Sequence, residues 1–402
     1  MKIIHTADWH LCDSLGRNDR TKDLEARVER VAELCIEHDA EVLLIAGDLF
    51  SERASVPEMT AALLHIHKAF VPFFAKGGTI LAITGNHDRD ARINMVLAGM
   101  RLAVPVPRSG EPVPGGRLYL VNSLGVVVLQ SKAGRRVQFV LVPYPFASRY
   151  EISAADFPSR EAENTQIKTI LADWLQKRSA QIDHSLPTVL VAHLHVCGSE
   201  THSLYKITAA EDHQFQFADV NPMWAYVALG HIHLPQMLAG AANVQYPGSL
   251  DRLDFGETHD THAVLLLEID GAAAVVPVRL PIAPTAFHTI DLTAPDSADI
   301  EALAAKYPDS ETALVRVRIA GTADGTSRDE IARQLRKCFP RWHAIEWEQA
   351  ESAAPDRERR YDSRAGFETT VRAYLADRLT GDPDAADVLA LADTFLTEAR
   401  SS

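Results

Sequence analysis

No stretch of this 402-residue chain reaches the 18 or more apolar residues a membrane-spanning helix needs; its longest apolar segments are strand-sized. The opening MKIIHTADWHL has one Lys and then polar residues, so it lacks the basic-then-apolar form of a signal peptide. Cysteine is scarce. Cys12, Cys35, Cys197 and Cys338 stand apart with no C-x-x-C pair, which argues against a zinc finger and for a reduced, cytoplasmic protein. There is no G-x-x-x-x-G-K-[ST] phosphate loop, so any ATP dependence has to be supplied in trans. Internal repeats and low-complexity tracts are also missing. Positive charge is short: 40 Lys and Arg face 54 Asp and Glu, a net charge of −14. That counts against a simple basic groove-coating nucleic-acid binder. It leaves room for an enzyme acting on DNA, because bound divalent ions offset part of the charge at the site itself.

What is present reads as an α/β protein. Residues 1–103 alternate strand and helix: IIHTAD, then DLEARVERVAELCIEHD with Leu24, Val28, Val31 and Cys35 on one face, then EVLLIAGD, a second helix and TILAITGNHD. Apolar strands buried on both faces and joined by helices imply a mostly parallel sheet. Short strands follow over 112–145, a helix over 160–182, and the apolar strands PTVLVAHLH and WAYVALGHIH; residues 236–282 are β-rich. The expected architecture is a two-sheet β-sandwich core flanked by helices over 1–282. Residues 283–349 read as a small α+β domain of order βαβαβ, 350–363 as a charged linker, and 364–402 as a helical tail. The tail carries two apolar stripes, Phe367, Val371, Tyr374, Leu375 and Leu379, then Val388, Leu391, Phe395 and Leu396. Such stripes need a surface to cover them, either on this chain or on a partner.

Five apolar strands end in residues that ligate metals: Asp8-x-His10, Gly47-Asp48, Gly85-Asn86-His87-Asp88, His193 and Gly230-His231-Ile232-His233. The carboxyl ends of strands in an α/β sheet are where the crevice forms. In an extended chain residues i and i+2 share a side, so Asp8 and His10 are expected to face one spot with Trp9 turned away. Asp8, His10, Asp48, Asn86, His193, His231 and His233 make seven oxygen and nitrogen donors with no thiolate. That set suits Mn, Fe or Zn, and it suits two ions sharing a carboxylate better than one. Two ions roughly 3.5–4 Å apart are the clamp used in phosphoester hydrolysis. His87 is left over, placed to stabilise the transition state or to protonate the leaving oxygen. Gly47, Gly85 and Gly230 allow the close backbone approach that a crowded ion site requires.

The order D-x-H, GD, GNHD, H, GH-x-H resembles that of the calcineurin-like metallophosphoesterases. The longer words HTADWHL, AGDLF, TGNHD, ALGHIH and YPGSLDRLDFGE resemble the SbcD family, the bacterial counterpart of the meiotic-recombination nuclease subunit. The resemblance implies a first ion held by Asp8, His10, Asp48 and His233, and a second by Asp48, Asn86, His193 and His231, with Asp48 bridging and His87 catalytic. It implies Mn2+, 3′ to 5′ exonuclease action on DNA duplex ends, endonuclease action on hairpins and single strands, and a nucleoid-associated role in repair, recombination and replication. It further implies an SbcC-like coiled-coil ATPase docked on the C-terminal helices. A homodimer is implied through helices 56–74 (Met59, Leu63, Ile66, Phe70, Phe73) and 90–103 (Ile93, Val96, Leu97, Met100), although by their pattern both stripes read equally well as ordinary core packing. Arg316, Arg318, Arg333, Arg336, Lys337 and Arg341 would supply phosphate contacts from the second domain. Ser51 stands where many relatives carry His or Asp, and Cys12 where many carry Gly. Two other readings stay open: a phosphodiesterase or phosphatase acting on small molecules or phosphoproteins, and a non-catalytic scaffold subunit of an SMC-like ATPase complex.

Overall fold

A computed structural model describes residues 1–88, 90–103, 110–150, 153, 156–201, 213–220, 224–271, 273–321 and 327–348, together with helical residues between 371 and 395. The fold is α/β, with two six-stranded sheets face to face and helices outside both. The first sheet runs in the order Val278–Pro281, Ala263–Glu268, Lys2–Thr6, Val42–Ala46, Thr79–Ile83, Leu118–Val121, and its last four strands are parallel. The second runs Gln236–Met237, Val244–Tyr246, Tyr226–Gly230, Thr188–His193, Arg136–Val142, Gly125–Gln130.

The period of two along each strand sorts the side chains between layers. Ile3, Val42, Leu44, Leu81 and Ile83 face Phe139, Leu141, Val189, Val191 and Ala228 between the sheets. Ile4, Leu43, Ile45, Ile80 and Ala82 face outward onto helices. There Thr21–Glu37 buries the expected Leu24, Val28, Val31 and Cys35. Val56–Ala75 starts on a capping box in which Ser55 and Glu58 satisfy each other's backbone N–H, with a proline in its first turn. On the second sheet Arg160–Gln181 lays down Leu171 and Leu175.

The apolar stripes expected to pair two subunits are spent inside the chain. Met59, Ile66, Phe70, Phe73, Ile93 and Leu97 are buried in the same cluster as Trp9 and Leu24, and Leu63, Val96 and Met100 pack against it. Truncating a side chain such as Phe70 there should cost about 3–5 kcal/mol. Buried Met59, Ile66, Phe70, Phe73, Ile93 and Leu97 are therefore core residues, while Leu63, Val96 and Met100 are only partly covered. The outward faces of the two helices instead expose Leu64 (65%) and Met95 (60%), with Val56 and Val71 beside Leu64 on its helix.

A third sheet, Phe287–Thr293, Leu314–Ala320 and Trp342–Trp347, is all parallel and carries helices Ser297–Lys306 and Arg328–Cys338 over its own core of Ile290, Val315, Val317, Ile319, Ile331 and Leu335. No break between compact units falls near residue 282. The first unit runs Met1–Glu348 and the second Gln349–Ser402. The third sheet is joined to the two-sheet core by a small cluster of Phe255, Phe287, Leu314 and Leu15, and by a buried Arg20–Asp251 ion pair at 3.0 Å whose carboxylate also accepts from Thr285 N at 2.7 Å.

The linker 350–363 lies outside the described residues, as do Phe367, Leu379 and Leu396 of the tail. Within the second unit Arg372 Nε donates to Asp393 at 2.6 Å, and Tyr374, Val388, Leu391 and Phe395 are exposed.

Candidate metal centre

The strand registers bring the five motifs to one rim. Thr6 pairs with Ile45, Ala46 with Ile83, and Gly230 with His193, so the residues that follow each strand emerge side by side. The first motif converges for a reason other than strand alternation. The strand ends at Thr6, and Asp8 and His10 take left-handed φ values of 52° and 44°. Asp48 (51°) and His231 (97°) do the same. Non-glycine residues with such angles are uncommon, and a run of them at one place is strain held by the surroundings. The holding contacts are backbone hydrogen bonds: Asp8 N to Gly47 O at 3.0 Å, Trp9 N and His10 N to Asp48 O at 2.9 and 3.0 Å, and Leu11 N to Leu49 O at 3.0 Å. Trp9, turned into the core as expected, donates its indole N–H to Thr6 Oγ1 at 3.0 Å.

Gly47 is required by packing as well as by its φ of 97°: a Cβ there would overlap the His193 imidazole. At Gly85 it would overlap the Asp48 carboxylate. Both glycines therefore set how tightly the donors close.

The structure brings all seven predicted donors together. Asp48 Oδ2 lies 3.3 Å from His193 Nε2 and 3.7 Å from His10 Nε2, between the two halves of the cage. On one side His10 Nε2 and His233 Nε2 are 3.3 Å apart. On the other, Asn86 Oδ1 stands 2.9 Å from His193 Nε2 and 3.0 Å from His231 Nδ1. Asp8 accepts His231 N on both oxygens at 3.1 Å. Three groups hold ligand atoms mutually within 4.8 Å: Asp8–His10–His233, Asp8–Asp48–His193 and His10–Asp48–His87. This donor set fits divalent ions of borderline character. Asp8, His10 and Asp48 each belong to two of the three groups.

The charges of the cage residues depend strongly on one another. Burial pushes the His193 imidazole down, but Asp48 and Asp8 outweigh it and hold the ring at about 9. His233 is likewise pressed down by burial and held at about 9, by Glu257 first and then by Asp8 and Asp48. Burial would raise Asp48, yet the His193, His10 and His87 rings keep it well below the usual carboxylate range. Burial lifts Asp8 to about 7 against the pull of His193 and His233.

His87 sits at the edge of the cage. Its backbone N donates to Asp48 Oδ1 at 2.8 Å, its ring is 4.8 Å from that of His10, and burial holds it below the ordinary histidine value. Glu52 Oε2 is 3.8 Å from its Nδ1, while Ser51 turns away and donates to Asp13 at 3.2 Å. A cavity of about 400 Å³ opens here, lined by His10, His87, His233, Glu257, Glu52 and Arg53 among others. His193 and Asn86 do not line it.

Two carboxylates support the cage from outside it, Asp88, which the sequence grouped with the metal-capable strand ends, and Glu257, which it did not single out. Asp88, in the ligand-type position beside His87, keeps out of the cage. It accepts three backbone N–H groups, from Gly85, Leu49 and Phe50, at 2.9–3.1 Å and so ties two motif loops together. Glu257 accepts from His233 Nδ1 at 3.2 Å. The words around them are visible, but nothing in a single sequence separates a buried carboxylate that supports loops from one that binds metal.

A family model described as calcineurin-like phosphoesterase matches residues 1–235, more than half of the chain. The chain belongs to the calcineurin-like phosphoesterase family. Membership implies a metal-dependent phosphoesterase with a dinuclear divalent centre. Among curated proteins the chain is similar to the SbcD subunit of the SbcCD nuclease of Rhodobacter capsulatus, 29% identical over 288 residues, which are 70% of this chain and 69% of that one. It is similar also to the proteins of the same name from Escherichia coli K12 (25% over 303 residues, 70% of each chain) and Staphylococcus epidermidis (24% over 296 residues, 71% and 70%). The SbcD resemblance read from the motifs is borne out by these relatives. No helix of the described residues is long and apolar enough to cross a membrane.

Proposed function

We propose that this phosphoesterase is a Mn2+-dependent DNA nuclease of the SbcCD type, a 3′ to 5′ exonuclease on duplex ends and an endonuclease on hairpins and single strands. The observation that carries the reading is Asp48 Oδ2, within 3.3–3.7 Å of an imidazole nitrogen on each side. Asp8, His10, Asp48 and His233 hold one ion; Asp48, Asn86, His193 and His231 hold the other. When bound, the two ions supply Lewis acidity at the phosphoryl oxygen and lower the pKa of the attacking water. The chain's own residues do the rest. Asp48 keeps the two sites in register. His87, at the cavity wall and largely neutral at neutral pH, presents an N–H to the phosphoryl or leaving oxygen. Arg53, exposed at the same wall, meets a flanking phosphate.

Of the six basic residues expected to meet phosphate, Lys337 is exposed and the five arginines have contacts within the chain. Arg316 is engaged by Thr289 and the Phe255 ring, Arg318 by Glu346, Arg333 by Glu330, Arg336 by the Trp342 ring and Arg341 by Asp23. DNA affinity in this reading comes mainly from the ions and from a partner. The partner is an SbcC-like coiled-coil ATPase, and the support for its docking on the tail is the exposed Tyr374, Val388, Leu391 and Phe395. We place residues 283–349 as a capping domain that orients the duplex. We place the homodimer on the outward faces carrying Leu64 and Met95.

The test loads the wild type and His87→Ala with Mn2+ and follows an end-labelled duplex beside a small chromogenic phosphodiester. Shortening of the duplex by the wild type alone, with two ions kept in both proteins, supports the reading. Cleavage of the small diester alone, even with the ATPase partner added, overturns it in favour of a phosphodiesterase acting on small substrates.

A further inference from the structure

The stretch Ser249–Glu257 links the metal centre to the third sheet. Glu257 is buried at 2% exposure in the short turn Phe255–Glu257 that follows the second sheet. Its Oε1 accepts from His233 Nδ1 at 3.2 Å, while Oε2 accepts from Leu253 N at 2.8 Å and Ser249 Oγ at 3.3 Å. An imidazole fixed through Nδ1 presents Nε2, and His233 Nε2 is the atom that meets His10 Nε2 across the cage. Two residues before Glu257, the Phe255 ring packs 5.0 Å from Phe287 and 5.2 Å from His343, both on the third sheet. Leu15 closes the same cluster from a hairpin five residues after His10. His193, on the far side of Asp48, is oriented differently: its Nδ1 bonds the Ala46 carbonyl at 2.8 Å inside the core.

We propose that Glu257 is the positioning residue for His233, and that Phe255 and Leu15 make occupancy of the ion at Asp8, His10 and His233 depend on the seating of the third sheet. The ion at Asn86, His193 and His231 is independent of that sheet. The proposal rests on the dinuclear reading above and adds an asymmetry to it. A carboxylate behind a ligating imidazole fixes its ring and tautomer, and its loss typically weakens metal binding about 10–100-fold. The turn also lines the cavity where substrate would lie, so a shift of the sheet against Phe255 would reach the His233 ring through a two-residue arm.

The experiment uses the full chain, with Glu257→Ala, Glu257→Gln, Phe255→Ala and Leu15→Ala beside the wild type. Mn2+ is titrated, bound metal per chain is read by elemental analysis, and paramagnetic resonance separates spin-coupled Mn pairs from isolated Mn. The wild type should bind two ions as a coupled pair. Glu257→Ala should bind one ion at wild-type affinity and the other about 10–100-fold more weakly, giving isolated Mn at intermediate load. Glu257→Gln should recover only part of the loss, because its amide oxygen still accepts the His233 N–H while its amide nitrogen cannot accept from Leu253 N. Phe255→Ala and Leu15→Ala should weaken the same ion and spare the other, whose retention also shows that the fold survives. Two ions bound by Glu257→Ala at wild-type affinity, equal weakening of both, or no recovery in Glu257→Gln would overturn the role of Glu257. Unchanged binding in both apolar variants would overturn the coupling to the sheet. A wild type that binds no pair of ions would instead sink the dinuclear reading itself.

Discussion

The two halves of the cage around Asp48 are built differently. On the His193 side the ring is fully buried and held by a backbone carbonyl, and Gly47 has no Cβ so that the ring can fit. On the His233 side the ring borders a solvent cavity and is held by the Glu257 carboxylate. A ring fixed by the main chain is as rigid as the sheets themselves. A ring fixed by a carboxylate on a turn is only as rigid as that turn. The first arrangement suits an ion that stays in place, and the second an ion that meets substrate.

The largest effect should come from removing what the halves share. Asp48→Ala should lose both ions by elemental analysis and bring hydrolysis to background; retention of either ion at wild-type affinity would contradict a bridging role. His87→Ala sits next in order. It should keep two ions and lose about 10²–10⁴-fold in kcat, and a rate within tenfold of wild type would remove His87 from the chemistry.

Gly47→Ala breaks one half only. The new Cβ overlaps His193 and the left-handed φ adds about 1–3 kcal/mol of strain, so thermal melting should fall and the His193-side ion should be lost first. Equal loss on both sides would erase the distinction between the halves.

Protons sharpen the comparison further. Neighbouring carboxylates hold His193 and His233 at about 9, and ligation needs neutral imidazole. Mn2+ affinity should therefore weaken as pH falls from 9 to 7, on the order of tenfold per unit for each ion that displaces one proton. Affinity independent of pH over that range, measured by titration calorimetry in buffers of different ionisation heat, would count against it. The smallest effect is expected at Glu52, half exposed and 3.8 Å from His87. Glu52→Gln should change the rate only a few-fold, since exposed pairs contribute about 0–1 kcal/mol, and should leave metal content alone.

The donors were legible in the sequence because each follows an apolar strand, and strand ends in an α/β fold gather at one rim. How Asp8 and His10 converge was not legible. Alternation along a strand pointed to the right pair of residues, but the work is done by left-handed backbone clamped to the 47–49 loop, which no local pattern announces. The stripe Met59–Phe73 was open in the sequence: an amphipathic face looks the same whether it meets its own sheet or another subunit, and the packing buries Met59, Ile66, Phe70 and Phe73 in the core. The arginines of the third sheet were legible as charges only, since a sequence does not reveal that Arg318 lies beside Glu346 or Arg341 beside Asp23. Glu257 lay in plain sight within PGSLDRLDFGE, yet its partner His233 is 24 residues away.

The most direct test of the account is an anomalous diffraction map of the Mn2+-loaded protein. Two peaks roughly 3.5–4 Å apart on either side of the Asp48 carboxylate, one against His10 and His233 and the other against Asn86, His193 and His231, are the predicted result. A single peak, or two that do not share Asp48, would contradict the dinuclear centre on which everything else here depends.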